Sequence, residues 1–233
     1  AIGVKYYSWS GKRRAPMEYH GVLIPTDHPA FDPDVRSRFP RNEYEVAEKN
    51  AIDKYVNTPL DILDLGASTG FLITYMLNKF DQNTRAVAVE GNPKLIPLLD
   101  DVRDLNNISF DIEDSAYHSS ERNVEFNIHD LSVGGSIQRQ TDDTVEVSGI
   151  NIKEIINKYG LTEFVCIVDI EGGEADLISN ELHILEDECQ ILIIEFHEGY
   201  TEGVLEAKQI LDSSGFEMVE NVGGVYVYKN RTA

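Results

Sequence analysis

Two stretches of this 233-residue chain stay apolar where a strand would normally alternate: Phe164-Val165-Cys166-Ile167-Val168 and Ile191-Leu192-Ile193-Ile194. A strand with water on one face alternates apolar and polar side chains, so an unbroken run has both faces covered. Helical patterns flank these runs. Helices on both faces of a buried sheet require parallel strands joined by crossovers, which is a doubly wound, Rossmann-like α/β fold.

The rest of the chain reads consistently with that. Strands are expected at 61–65, 86–90, 108–112, 124–128, 164–170 and 191–196, and helices at 71–80, 93–105, 152–159, 175–185 and 204–213. Segments 216–219 and 225–228 flank Gly223-Gly224 as a hairpin, which brings an antiparallel strand to the edge of a mostly parallel sheet of about seven strands. Upstream, Tyr44, Ala47, Ala51, Ile52 and Tyr55 fall at helical spacing over 43–56, with Asn42 as N-cap and Pro59 as the stop. Residues 1–41 hold many aromatics and prolines without periodicity. They read as an irregular N-terminal extension suited to a lid, and 42–233 as the domain. The polar stretch 134–148 reads as a surface loop or small extra hairpin.

Charge narrows the partners. Twenty Lys+Arg against 41 Asp+Glu leave a formal net charge of −21, which repels phosphates and argues against a nucleic-acid partner. The basic residues gather partly at Lys12, Arg13, Arg14, Arg36, Arg38 and Arg41, either a solvated surface or a hold for an anionic substrate. Cys166 and Cys189 lie in or beside the apolar runs and read as buried thiols without metal-type spacing. There is no signal-peptide pattern and no run of 18 apolar residues, so a cytoplasmic protein with no membrane partner is the simplest expectation.

A strand-to-helix turn carries Asp64-Leu65-Gly66-Ala67-Ser68-Thr69-Gly70. Glycines there let backbone N–H groups approach a ligand. The next strand ends at Glu90, placed to accept hydrogen bonds from ribose hydroxyls, and Gly91, Asn92 and Pro93 open the following helix. The dinucleotide fingerprint G-x-G-x-x-G fails at Ser68 and Phe71, and no Gly-Lys-Ser/Thr loop exists. The loop therefore suits a nucleoside ligand without a pyrophosphate.

Both apolar runs turn polar at their carboxyl ends, with Asp169 and Glu171 on one and Glu195 and His197 on the other. Residues two apart share a strand face, and ligands of doubly wound sheets bind at that end. If the two strands are neighbours, four titratable groups converge there. Acidic residues at 169, 171 and 174 also suit a helix start.

These segments together resemble the FkbM family of methyltransferases: the loop at 64–70, Val89-Glu90-Gly91-Asn92-Pro93, Asp169-Ile170-Glu171-Gly172-Gly173-Glu174, Ile194-Glu195-Phe196-His197, and the upstream pair Tyr44-Glu45. The resemblance covers roughly 42–198. It departs at Ser68, where the family usually has Asn, and at Val168, where it usually has Lys. It implies S-adenosylmethionine as cofactor and O-methylation of a hydroxyl on a sugar or other small molecule. It also implies that Tyr44 and Glu45 join Asp64, Gly66, Ala67, Ser68, Gly70, Glu90 and Asn92 around the cofactor, with Asp114 and Ser115 beside the adenine.

A cationic sulfonium and ammonium would offset the repulsion among the carboxylates. His197, with a reference pKa near neutrality, is then the expected general base, with Glu195 to orient or replace it and Asp169 beside them. A divalent metal held by Asp169, Glu195 and His197 is the other way to lower the acceptor's pKa, and carboxylates plus waters suit Mg²⁺. The competing readings are a methyltransferase acting on a macromolecule and a non-catalytic binding module on the same fold.

Overall fold

Every apolar run becomes a strand of one sheet. The computed structural model describes residues 15–31, 33–80, 84–128, 135–136, 144–199 and 201–231. In chain order these residues form β1 (Met17–Tyr19), β2 (Val22–Ile24), α1 (Pro33–Arg38), α2 (Val46–Tyr55), β3 (Asp61–Leu65), α3 (Phe71–Lys79), β4 (Ala86–Glu90) and α4 (Ile96–Asn106). Then come β5 (Asp111–Asp114), β6 (Ala116–Tyr117), β7 (Asn123–Ile128), β8 (Gly135–Ser136), β9 (Thr144–Ile150) and α5 (Ile152–Tyr159). The chain closes with β10 (Phe164–Val168), α6 (Glu174–Glu188), β11 (Cys189–Glu195), α7 (Val204–Asp212), β12 (Phe216–Val222) and β13 (Val225–Asn230).

The main sheet has the order β12-β13-β11-β10-β3-β4-β5. Five strands are mutually parallel, and β13 runs antiparallel between β11 and β12. The order reverses between β3 and β10, the switch point at which a crevice opens above a doubly wound sheet. Val168 pairs with Leu65 on one side and Ile194 on the other. Gly66, Asp169 and Glu195 therefore leave the sheet level with one another.

Alternation sorts the apolar strands into two cores. Ile62, Ala88, Val165, Ile167 and Ile193 pack with α2, α3, α4 and the N-terminal segment. Leu63, Val87, Cys166, Val168, Leu192 and Ile194 pack with α5, α6 and α7. By the same period of two, Asp64, Glu90, Asp169 and Glu195 continue the first set and lie toward α2 and α3. Both cysteines are buried free thiols, as their apolar surroundings imply.

Several local expectations are corrected. Within 1–41, the residues from 17 onward are not irregular. β1 and β2 form a hairpin around His20 (φ 49°) and Gly21 (φ 81°), α1 follows, and Tyr19, Val22, Ile24, Phe31 and Phe39 enter the first core. Three-residue strands are too short to show periodicity. Residues 1–14, with Lys12, Arg13 and Arg14, lie outside the described residues. Asn42 does not cap α2. Glu45 stands at the N-cap in a left-handed conformation without a capping bond, and Asn42 Oδ1 lies 2.5 Å from His20 Nε2. The third parallel strand starts at Asp111, later than its apolar residues Ile108 and Phe110. The strand at 124–128 leaves the main sheet and joins β9, β8 and β6 in a small second sheet, so part of 134–148 is strand.

Candidate functional site

The glycine loop is shaped by contact with the neighbouring strand end. Gly66 has φ 82°, and a Cβ there would stand 1.9 Å from the Asp169 carbonyl oxygen, so only glycine fits. The N–H groups of Gly66 and Ala67 donate to the Val89 carbonyl at 2.9 and 3.1 Å, and Gly70 N–H donates to Ala67 O at 2.7 Å. Gly70 abuts Leu99 of α4. Glu90 ties two loops together: one carboxyl oxygen accepts Ser68 N–H at 2.8 Å and the other Asn92 N–H at 2.7 Å. Asn92, fully buried, accepts Lys94 N–H at 3.1 Å and fixes the turn into α4.

Two acids under this loop are held protonatable near neutrality. Burial, then the Glu90 charge, pushes Asp64 up to about 7, against a hydrogen bond from Ile73 N–H. Its Oδ2 is buried without a hydrogen-bond partner. Burial pushes Glu90 up to about 7 against the donated N–H bonds, with the Asp114 charge adding to the rise.

A narrow cavity opens above the loop, lined by Gly66, Ser68, Glu90, Ser115, Tyr117 and Phe126 among others. Ser115 is buried and donates to Glu113 at 2.9 Å. Asp114 is not among the lining residues. It faces an adjoining depression with Arg122 and Lys158. Phe126 and Tyr117 escape the sequence reading because they lie in the small sheet, after the regular alternation has broken. The one hint is Gly91, where a Cβ would meet the Phe126 ring at 2.7 Å.

A second cleft of about 480 Å³ shares Ser68, Asp169 and Glu171 with the first. Its walls come from α1, α2 and the segment between them, including Arg38, Glu43, Tyr44, Glu45 and Glu48, and from the β12–β13 turn. Tyr44 is buried, stacks on Phe39 at 4.4 Å, and places its hydroxyl 3.3 Å from Ser68 Oγ. Burial, then the Glu48 charge, holds the Glu45 carboxyl well above its usual range. Glu45, Ser68 and Glu171 all adopt left-handed backbone (φ 46, 49 and 51°), a conformation kept only where surrounding contacts over-determine it.

Where the two spaces meet, β10 and β11 deliver their polar ends. His197 Nδ1 is 2.8 Å from Glu174 Oε1. Glu174 is fully buried at the start of α6, and both its oxygens accept Gly172 N–H at 3.1 Å. His197 Nε2 lies 3.6 Å from Asp169 Oδ1 and 3.5 Å from Glu171 Oε2. One donor atom each from Asp169, Glu195 and His197 falls within 4.8 Å of the others.

This geometry bears on two expectations. Burial lowers the His197 pKa, but the Glu174 hydrogen bond and the charges of Asp169, Glu174 and Glu171 outweigh it and raise it to about 9. The surrounding carboxylates thus favour the charged form of the imidazole. The carboxyls carry the elevated basicity instead: burial and the Glu195 charge hold Asp169 well up against His197, and burial raises Glu195. The group that orients His197 is Glu174, which sequence alone assigns equally well to a helix start, rather than Glu195.

The Tyr75-x-x-x-Lys79 spacing that a short-chain dehydrogenase would need occurs on α3, but both side chains bind Asp53, at 2.6 and 3.2 Å.

The family profile described as the methyltransferase FkbM domain matches residues 64–218. No curated protein sequence matches the chain. Among solved structures, it is similar to a protein of the NADB-Rossmann superfamily from Streptococcus agalactiae, with 13% identity, a TM-score of 0.46, and coverage of 78% of this chain and 66% of that one. It is similar to the bifunctional kinase-methyltransferase WbdD, with 14% identity, a TM-score of 0.48, and coverage of 88% and 42%. It is also similar to precorrin-6y C5,15-methyltransferase from Geobacter metallireducens, with 12% identity, a TM-score of 0.48, and coverage of 80% and 87%. The chain spans about two thirds of the first protein and under half of the second.

Proposed function

The chain belongs to the FkbM methyltransferase family, and from that premise we propose that it methylates a hydroxyl of a small molecule or sugar with S-adenosylmethionine. The observation that carries this reading is the meeting of two spaces at Ser68, Asp169 and Glu171. One holds the glycine loop and the other opens to solvent between α2 and the β12–β13 turn.

The residues fit the cofactor. The surplus of carboxyl groups, and the buried unpartnered oxygen of Asp64, suit a ligand bearing a sulfonium and an ammonium cation. Gly66, Ala67, Ser68 and Gly70 supply the close-approaching loop, and Asn92 holds its neighbour. Glu90 is the ribose acceptor, Ser115 stands at the base end, and Tyr44 and Glu45 close the side toward α2. Asp114, turned to the adjoining depression, leaves that set. When bound, the cofactor supplies a methyl group on a positively charged sulfur.

On the acceptor side, positioning by the cleft supplies most of the rate. Glu195, with a carboxyl held above its usual range, takes the hydroxyl proton in place of His197, since a stronger conjugate base near the working pH is the better acceptor. His197, charged and pinned by Glu174, offers a donor to the oxygen as it gains negative charge. Asp169 keeps that charge in place.

The test is a thermal-shift titration. S-adenosylhomocysteine near 100 times its Kd stabilises by about 2.7 kcal/mol, or about 5–10 °C for a chain of this size. NAD leaves the melting temperature unchanged, and Glu90→Gln weakens S-adenosylhomocysteine at least ~10-fold by removing a charged acceptor. No shift at saturating S-adenosylhomocysteine would remove the reading.

A further inference from the structure

We infer that Asp169, Glu195 and His197 form a binding site for a divalent transition-metal ion of Mn²⁺ type at the junction of the two cavities. Three observations converge. First, one oxygen of each carboxylate and one imidazole nitrogen already lie within 4.8 Å of one another. Donors around an octahedral ion sit ~2.1 Å from it and so ~3 Å apart, which these side chains reach by small rotations from the end of a rigid sheet.

Second, Asp169 Oδ1 is buried without a hydrogen-bond partner, 3.6 Å from the imidazole Nε2. The imidazolium faces that oxygen at ion-pair range without donating a hydrogen bond to it, and a metal ion on Nε2 would take the place of the imidazolium proton. Third, the imidazole is oriented from behind. Glu174 is fully buried, is held by Gly172 N–H, and fixes Nδ1 at 2.8 Å. That aims Nε2 at Asp169 and Glu171, 3.6 and 3.5 Å away, with Glu195 alongside. A carboxylate behind a histidine is the arrangement that sets the tautomer and direction of a metal-binding imidazole.

The donor set also chooses the ion. Carboxylate oxygens suit Mg²⁺ and Mn²⁺ alike, and an imidazole in the set tips it toward a first-row transition ion, of which Mn²⁺ is the one that still accepts mostly oxygen donors. This revises the Mg²⁺ expectation. The charge balance agrees: six carboxyl groups line the open cleft against Arg38 and His197. An ion there would bind an acceptor hydroxyl from the cleft and favour its deprotonated form. That consequence rests on the methyl-transfer reading; the binding itself does not.

The experiment is a Mn²⁺ titration of the full chain near neutral pH, followed by electron paramagnetic resonance, with electron spin-echo detection of coupling to ¹⁴N. One site distinct from weak surface binding is expected, with an imidazole nitrogen coupling. Glu195→Gln and His197→Gln should weaken it at least ~10-fold and Glu174→Gln by ~10–100-fold. Asp187→Asn, a surface acid at the opposite end of the sheet, should leave it unchanged. Weak binding indifferent to all four substitutions, or a bound-ion spectrum without nitrogen coupling, overturns the site. The spectrum of the unsubstituted protein decides the matter if a variant does not fold. S-adenosylhomocysteine shifts are read in parallel: their loss with Mn²⁺ binding intact sinks the methyl-donor reading, and the reverse sinks the metal site.

Discussion

Asp64 and Glu90 are both pushed up to about 7 from ordinary values of 3.8 and 4.5. Between about pH 4 and 7 the folded chain therefore binds more protons than the unfolded chain. Unfolding free energy falls as pH rises through that window, by up to about 1.4 kcal/mol per pH unit for each group. His197, raised to about 9, extends the loss upward: its contribution is present below about 6.5 and disappears as pH rises through 9. Urea unfolding of the ligand-free chain should give a higher midpoint at pH 5 than at pH 8. Asp64→Asn should flatten the slope between pH 4 and 7, and a slope equal in both proteins would show that Asp64 is not the source. At this scale much was legible. The change from apolar to polar at the ends of two strands brought Asp169 and Glu195 to the correct end of the sheet, level with Gly66. Glu174 was not, because an acid in the first turn of a helix satisfies capping rules without any partner, and its link to His197 spans 23 residues and two elements.

The parallel strands and the helices between them could be read from the sequence because each buries enough apolar surface to impose a period. The small sheet could be read only in part: 124–128 as a strand and 134–148 as a loop or small hairpin, but not their union with β6 in one sheet. β6 has two residues, β7 alternates only partly, and its core is Ala116, Val124, Phe126 and Ile128. Yet this sheet closes the cavity above the glycine loop: Phe126 lines it and Gly91 is kept small to admit the ring. Phe126→Leu should keep the apolar volume and cost under about 1.5 kcal/mol of stability. It loses the flat aromatic face, so S-adenosylhomocysteine binding should weaken by about 3–10-fold, in line with roughly 0.5–1.5 kcal/mol for aromatic contacts. Calorimetry would check this, and unaltered affinity would mean that the ring only fills space.

For the whole molecule the dominant fact is a formal net charge of −21. Like-charge repulsion at that level destabilises the compact state and is screened by salt. Raising NaCl from about 0.05 to about 1 M should raise the melting temperature by roughly 3–8 °C, corresponding to about 2 kcal/mol. A fall in that temperature would show that the surface ion pairs, such as Lys54–Glu220 and Arg41–Glu43, outweigh the repulsion. No described helix is long and apolar enough to cross a membrane.

The antiparallel course of β13 returns the chain at Gly223–Gly224 to the end of the sheet where the cleft opens. Gly224 O accepts Phe196 N–H at 3.1 Å, and Val222, Gly223 and Val225 form part of the rim. The rest of the rim is the segment leading into α2. Neither segment belongs to the strands that carry the glycine loop, and the turn has open space on one side, since a Cβ at Gly223 meets nothing within 4 Å. Substitutions at that turn can therefore be accommodated without touching the interior. In related chains, variation confined to the β12–β13 turn would alter admission and leave the donor cavity as it is.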